Sequence, residues 1–197
     1  MTEHGGNQHL PHWDLSTLYS SLDSPGFEGD FARWSTMIVD LRTYFDEAGI
    51  GICTNVDASA TPDRLETAVG RFNEIMALGH KLYSYVTGFA ATDSRNVTAQ
   101  SWMSRLQIQM AEVEKLEPRF AAWVGTLGLD ALASQSTIVA DHAYPLLRIQ
   151  IEAKHLMQPA EEELAADLNL TGGRAWSRLY STFSSQIVAP VEVGGAS

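Results

Sequence analysis

The chain has 197 residues, of which 45% are hydrophobic, so it is long enough to bury one core and is interpreted as one domain. Its 13 Lys and Arg residues against 24 Asp and Glu residues give a net charge of -11, which argues against nucleic acid and membrane surfaces as partners. The single cysteine, Cys53, excludes an internal disulfide, and no signal-peptide pattern is visible, so a cytoplasmic protein is predicted.

Apolar residues at helical spacing predict helices through most of the chain. Residues 1–10 are polar and contain glycine, which predicts a disordered tail, and Asp14 or Ser16 is expected to cap a short helical turn after it. Steps of three and four residues then draw one apolar stripe from Phe27 to Phe45. By the same reasoning the predicted helices span 27–48, 62–88, 97–125, 137–157, 160–170 and 172–185.

Prolines and polar residues predict where these helices begin, bend or end. Pro118 is expected to kink or break the third helix, and Pro145 to interrupt the fourth. The stretch GLDALASQ between them is predicted to be a linker. Thr171 is predicted to cap the last helix. Most of the aromatic residues are assigned to the core because they lie on apolar stripes, and Trp176 is expected there in the densest apolar turn.

The tail has a different pattern from the rest of the chain. QIVAPVEV, residues 186–193, is rich in valine and contains Pro190, which predicts a short extended strand. The predicted fold is therefore all-α, a multi-helix bundle-like lobe with a short C-terminal strand. Its boundaries are a tail at 1–10, one helical domain at 11–193 and a tail at 194–197.

Glu152 and His155 are the one pair in the chain with metal-ligand spacing for a helix bundle. A di-metal site needs two Glu-x-x-His pairs and further glutamates, and no other histidine here follows a glutamate by three residues. The other histidines are His4, His9, His12, His80 and His142. The nearby acidic run, Glu161 to Glu163, is explained by the first turn of a helix, where negative charge is favoured.

No catalytic constellation is recognisable elsewhere. A zinc hydrolase of the His-Glu-x-x-His type is excluded because no histidine is followed by glutamate, and Cys53 has no evident base beside it. The sequence therefore predicts no catalytic, cofactor-binding or metal-binding residue in this chain. We expect the purified chain to bind no stoichiometric zinc and to leave peptides uncleaved.

Two patches of sequence resemble the N-terminal part of an M3-family zinc metallopeptidase, the oligoendopeptidase F type. The first is PHWDLSTLYSSLDS near the start, and the second is EAKHLMQPAEEELAADLNLTGGRAWSRLYSTF. The matching positions that stand out are Trp13, Asp14, Arg148, His155, Thr171, Gly172, Trp176 and Tyr180. These positions are interpreted as structural or interface residues.

The resemblance implies a helical lobe that forms one wall of a channel for oligopeptide substrates, with zinc bound by another part of the parent protein. The His-Glu-x-x-His helix of the family is absent here, so no catalytic residue is carried over. The chain is read as a piece of a longer peptidase; a truncated gene and a stand-alone helical module that binds peptides or proteins remain as alternatives. Self-association through the tail and the 172–185 helix is predicted for the isolated chain.

Overall fold

A computed structural model describes residues 14–51 and 61–188, without the side chains of Thr61 and Pro159. Within these ranges the chain forms α-helices and one 3-10 turn, and no strand. The helices are α1 (Pro25–Glu47), α2 (Thr61–Thr92), α3 (Val97–Val124), α4 (Leu129–Ala133), α5 (Thr137–Asp141), α6 (Ala143–Glu152), α7 (Pro159–Thr171) and α8 (Gly173–Ser184), with the 3-10 turn at Ala153–His155. The predicted all-α fold is confirmed.

The first three helices form the core, and their aromatic contacts fix their directions. Phe27 of α1 contacts Tyr85 of α2, whereas Phe45, further along α1, contacts Phe72, so α1 and α2 run antiparallel. The same two α1 residues contact Trp102 and Phe120 of α3 in rising order, so α1 and α3 run parallel. The apolar stripe predicted for α1 is buried at the centre of this three-helix arrangement.

Local capping explains where two of the long helices begin. The Ser24 side chain accepts a hydrogen bond from the Phe27 amide before α1, and Pro25 occupies the first helical position. The Asn96 side chain accepts from the Ala99 amide at 3.0 Å before α3. Side-chain oxygens thus satisfy amide groups that have no partner inside the helix.

The helices after α3 cover its C-terminal end and then return along it. The Gln150 side chain in α6 donates to the carbonyl oxygens of Val124 and Leu127, at 3.0 and 2.7 Å, so it satisfies acceptors at the end of α3. Lys115 of α3 pairs with Asp167 of α7 at 2.7 Å, which holds α7 against the middle of α3. α8 packs beside α7. No described helix combines the length and the apolar character that crossing a membrane requires.

The helix predicted at 137–157 is not continuous, and the interruption expected from Pro145 is present. The structure divides it into α5, α6 and the 3-10 turn, with the first break at His142. Pro145 causes this break because its ring is incompatible with a helical carbonyl four residues earlier, at Asp141, but is tolerated in the first turn of α6. The linker predicted between the third and fourth helices also contains a short helix, α4.

Two further predictions are corrected. α3 continues through Pro118 without a break. Thr171 does not cap the last helix: it is the final residue of α7, and Gly172 precedes α8 without a side-chain cap. An added Cβ at Gly172 would lie 2.9 Å from the Leu168 carbonyl oxygen, so glycine permits the tight turn between α7 and α8.

The predicted C-terminal strand is not supported where it is described. Gln186 lies in a turn, and Ile187 and Val188 have no regular structure. The rest of that strand, residues 189–193, lies outside the described residues, as do Trp13, Cys53 and the predicted N-terminal tail.

Candidate functional site

The two halves of the described chain differ in where their apolar side chains lie. Of the 30 buried hydrophobic residues, only Leu132, Val139 and Leu146 lie after residue 127. Of the 18 exposed large hydrophobic residues, 13 lie after that point. A concentration of exposed apolar side chains is typical of a contact site for another molecule or another part of a protein. Residues 128–188 therefore carry a candidate interface.

α8 is packed with its polar face inward. Arg174 pairs with Glu114 of α3, and Arg178 donates to the Ser104 hydroxyl at 2.9 Å, so the arginines hold the helix against α3. The opposite face carries four large apolar residues at helical spacing, which we call the α8 face: Trp176, Leu179, Tyr180 and Phe183, exposed by 70%, 56%, 75% and 69%. No residue of α8 is buried. The prediction that Trp176 belongs to the core is wrong.

The other described residues of the family motif are at the surface or, for Gly172, half-buried, and they do not converge on one pocket. Arg148 of α6 pairs with Glu152 at 3.2 Å, one helical turn away. Hydrogen bonds with Tyr144 and with Glu152 raise the pKa of the Arg148 guanidinium. His155 lies exposed in the 3-10 turn. Asp14 accepts from the Ser16 amide at 2.9 Å, and its hydrogen bonds with Ser16 lower the pKa of its carboxyl. This geometry fits structural and interface roles.

Glu152 and His155 do not form a metal site. Glu152 ends α6 and is paired with Arg148, while His155 follows in the 3-10 turn, so the two residues do not share one α-helix. Within 14–51 and 61–188, no group of three or more His, Cys, Asp and Glu residues is arranged to hold a metal ion. These residues do not fit the zinc that the resemblance implies for the parent protein.

The acidic run after His155 has the structural role that the sequence predicts. Glu161 accepts a hydrogen bond from the Gln158 amide at 3.0 Å, and Glu162 accepts from the Met157 amide at 2.9 Å. Both carboxylates lie in the first turn of α7, where the helix dipole favours negative charge. The glutamates stabilise the start of α7.

A cavity of about 920 Å³ lies over α3, with walls from α2, α6 and α7, and we call it the α3 cavity. Phe72 and Met76 of α2 and Leu146 and Ile149 of α6 give it apolar walls. Small residues on α7, Ala165 and Ala166, leave the space open. The volume falls within the range of about 300–1,000 Å³ that is usual for ligand pockets.

The charged side chains around the α3 cavity are all carboxylates. They are Glu114, Glu117, Glu152 and Glu162, and no Lys or Arg is among the described residues that line it. Three of them already have partners. Glu114 pairs with Arg174, Glu152 pairs with Arg148, and Glu162 accepts a hydrogen bond from the Met157 amide. The Glu117 carboxylate has no hydrogen bond or ion pair with any described residue.

The Glu117 side chain is exposed in the wall of the cavity, and the protein around it removes part of its hydration. This loss of hydration raises the pKa of its carboxyl. Exposure and partial desolvation are compatible, because a side chain in the wall of an open cavity contacts water on one side and protein on the other. A carboxylate in such a place favours a nearby positive charge.

Sequence reasoning missed the α3 cavity. Glu114 and Glu117 stand three residues apart on α3, which places them on one helix face, and this spacing was the available signal. The sequence contained no sign that Arg174, sixty residues later, pairs with one of them and leaves the other free. The cavity depends on how α7 returns over α3, which is a tertiary feature.

Comparison with known proteins finds a family similarity for part of the chain. A family model for the N-terminal region of M3 peptidases, described as oligopeptidase F, matches residues 128–188. No curated protein and no solved structure matches the chain. The matched residues contain the second patch, residues 152–183, together with Arg148. They also contain most of the exposed large hydrophobic residues. Residues 128–188 are therefore similar to the N-terminal region of M3 peptidases of the oligopeptidase F type.

Proposed function

We propose that this chain is a substrate-channel lobe of an oligopeptide-cleaving zinc metallopeptidase of the oligopeptidase F type. In this role it supplies shape and substrate exclusion, while the zinc and the catalytic residues belong to another part of the protein. The protein acts in the cytoplasm on oligopeptides. The family match over residues 128–188 supports the assignment to a peptidase.

One observation carries the proposal: α8 presents its apolar side to solvent and its arginines to α3. A surface helix of a finished domain has the opposite orientation, because burying apolar area contributes about 25 cal/mol per Å². The α8 face therefore lies where a further part of the peptidase packs. Because the α8 face lies in the family-matched segment, the zinc-bearing part of the peptidase is expected to cover it.

Association with the zinc-bearing part tests this proposal. The probe is an oligopeptidase F from which the region corresponding to residues 128–188 has been deleted, mixed with the full 197-residue chain. We expect a complex in sedimentation, and we expect Trp176→Ala with Phe183→Ala to weaken it by about tenfold or more, since exposed aromatic residues dominate such interfaces.

The matched control removes two apolar side chains that are exposed outside the family-matched segment. Val97 and Ile108 of α3 are exposed by 80% and 57%, and changing both to alanine should leave the association unchanged. The lobe assignment would be contradicted if the 197-residue chain formed no complex with the deleted oligopeptidase F, or if both double variants weakened the complex equally.

The second candidate is a stand-alone helical module that binds peptides or proteins without catalysis. The α3 cavity favours it, since a pocket of this size within one chain does not need a second lobe. Peptide binding together with a failure to associate with the zinc-bearing part would favour this module.

A further inference from the structure

We propose that the α3 cavity binds oligopeptides through a basic side chain, with Glu117 as the carboxylate that receives the positive charge. The choice of a peptide as ligand rests on the proposed function. The geometry of the cavity supplies the rest: a volume of about 920 Å³, apolar walls and carboxylates as the charged groups among its described lining residues.

The charge pattern selects a cation. Glu114 is neutralised by Arg174 and Glu152 by Arg148, and neither arginine is among the residues that line the cavity. Glu117 is left as a partly desolvated carboxylate with no partner among the described residues. A guanidinium or ammonium group placed beside it forms a charge-assisted hydrogen bond, which is about twice as strong as a neutral one.

The apolar walls select what accompanies the cation. Phe72 and Met76 on one side and Leu146 and Ile149 on the other suit the aliphatic stem of Arg or Lys and an apolar neighbour in the peptide. A small inorganic cation would leave these walls in contact with water. The cavity therefore fits a basic side chain that is part of a longer apolar segment.

A neighbouring cavity shows that this pattern is specific to one side of α3. It has a volume of about 660 Å³ and shares Pro118, Leu156 and Glu162 with the α3 cavity. Its lining contains both signs of charge, and Lys115, for example, is already paired with Glu112 and Asp167. Mixed and paired charges give it no preference for a cationic ligand.

Calorimetry on the full chain with two matched peptides tests the inference. Both probes are N-acetylated, C-amidated hexapeptides with leucines around a central residue, which is Arg in one and citrulline, its uncharged isostere, in the other. We expect the Arg peptide to bind about tenfold or more tightly than the citrulline peptide, as the loss of one hydrogen bond to a charged group implies.

Three variants locate the site. Glu117→Gln should abolish the preference for Arg, whereas Glu74→Gln, an equal charge change at an exposed position of α2, should preserve it. Ala166→Leu places a larger side chain in the cavity wall and should weaken the binding of both peptides while the helical circular dichroism stays unchanged.

Several outcomes would overturn the inference. They are no binding of the Arg peptide, equal binding of both peptides, or binding of both peptides that is unchanged by Ala166→Leu. A citrulline peptide with a free N-terminus that binds as well as the acetylated Arg peptide would assign the site to a terminal ammonium instead. These measurements do not involve the zinc-bearing part, so a negative result here leaves the lobe assignment to its own test.

Discussion

At the scale of single residues, Gly79 shows how closely α2 approaches α1. Its position would place an added Cβ 2.8 Å from the Trp34 ring, which is buried and donates its indole N–H to the Ile75 carbonyl oxygen at 2.9 Å. The ring has no room to move because the hydrogen bond and the surrounding core fix it. Glycine is therefore required at this point of a helix in spite of its unfavourable helix propensity.

The first prediction concerns Gly79→Ala, which should lower the free energy of unfolding by about 1 to 3 kcal/mol through overpacking against Trp34. Gly70, on the same helix, is the matched control, since an added Cβ there would meet nothing within 4 Å. Gly70→Ala should raise stability by up to about 1 kcal/mol. Urea denaturation of both variants measures the difference, and equal effects would contradict the close approach.

Glu117 gives the second prediction, on pH. Desolvation raises its carboxyl pKa in the folded chain above the ordinary value of 4.5. Its contribution to stability is therefore fully present below the unfolded pKa and is lost as pH rises through the folded pKa. The other titratable groups around the same cavity are Glu114, His142, Glu152 and Glu162.

Glu117→Gln removes this pH dependence. The variant should match the parent chain near pH 4 and exceed it in stability near pH 8, as measured by urea denaturation at both values. Glu74→Gln, at an exposed site, should show no such difference between the two pH values. A loss of stability at pH 8 in Glu117→Gln would indicate that the carboxylate has a stabilising partner after all.

At the scale of elements, α8 combines a strong apolar stripe with an orientation that leaves the stripe uncovered. Arg174 and Arg178 lie one turn apart on the opposite side and reach Glu114 and Ser104 of α3. These polar contacts hold the helix while the α8 face stays in solvent. The stripe is evidence for burial in an assembly, and within this chain it contributes little to stability.

The third prediction follows from the exposure of Trp176. Trp176→Ala should change the free energy of unfolding by no more than about 0.5 kcal/mol, as surface substitutions do. Trp34→Ala, at a residue that is 1% exposed, should cost about 3 to 5 kcal/mol. Thermal and urea denaturation of the two variants would compare them. A large loss in Trp176→Ala would place its ring in a core.

At the scale of the whole molecule, the described chain is a well-packed three-helix core followed by a thinly buried segment. The core holds the interlocking aromatic rings of α1, α2 and α3, such as Phe45, Phe72 and Phe120. α8 has no buried residue, and the described apolar residues of α7 include Leu164 and Leu168, each 58% exposed. Local opening requires less free energy where fewer apolar contacts are lost.

The fourth prediction is a gradient of hydrogen exchange. Amides in the middle of α1, α2 and α3 should be the most protected, and those of α7 and α8 should exchange much faster. Mass spectrometry of peptic fragments would measure this on the full chain. Equal protection of α3 and α8 would contradict the view that residues 128–188 lack part of their packing.

The fifth prediction is self-association of the isolated chain through the α8 face. The net charge of -11 opposes it at low salt and less at high salt, where charges are screened within about 3 Å at 1 M. Sedimentation at two salt concentrations should show more association at high salt. Trp176→Ala with Phe183→Ala should restore the monomer, and Val97→Ala with Ile108→Ala should not. A monomeric parent chain at high concentration in both salts would contradict this prediction.

The sequence by itself determined the helical class, the three long helices, the acidic first turn of α7 and the family similarity of residues 128–188. These features depend on local periodicity, helix capping and sequence motifs, which involve only residues close together in the sequence. Only the tertiary structure decided which stripes are covered. The stripes of α1 and α8 have the same spacing, yet Trp34 is buried and Trp176 is exposed, because burial depends on what lies opposite. The α3 cavity was decided in the same way, since Arg174 pairs with Glu114 and leaves the Glu117 carboxylate without a described partner only once α8 lies within reach of α3.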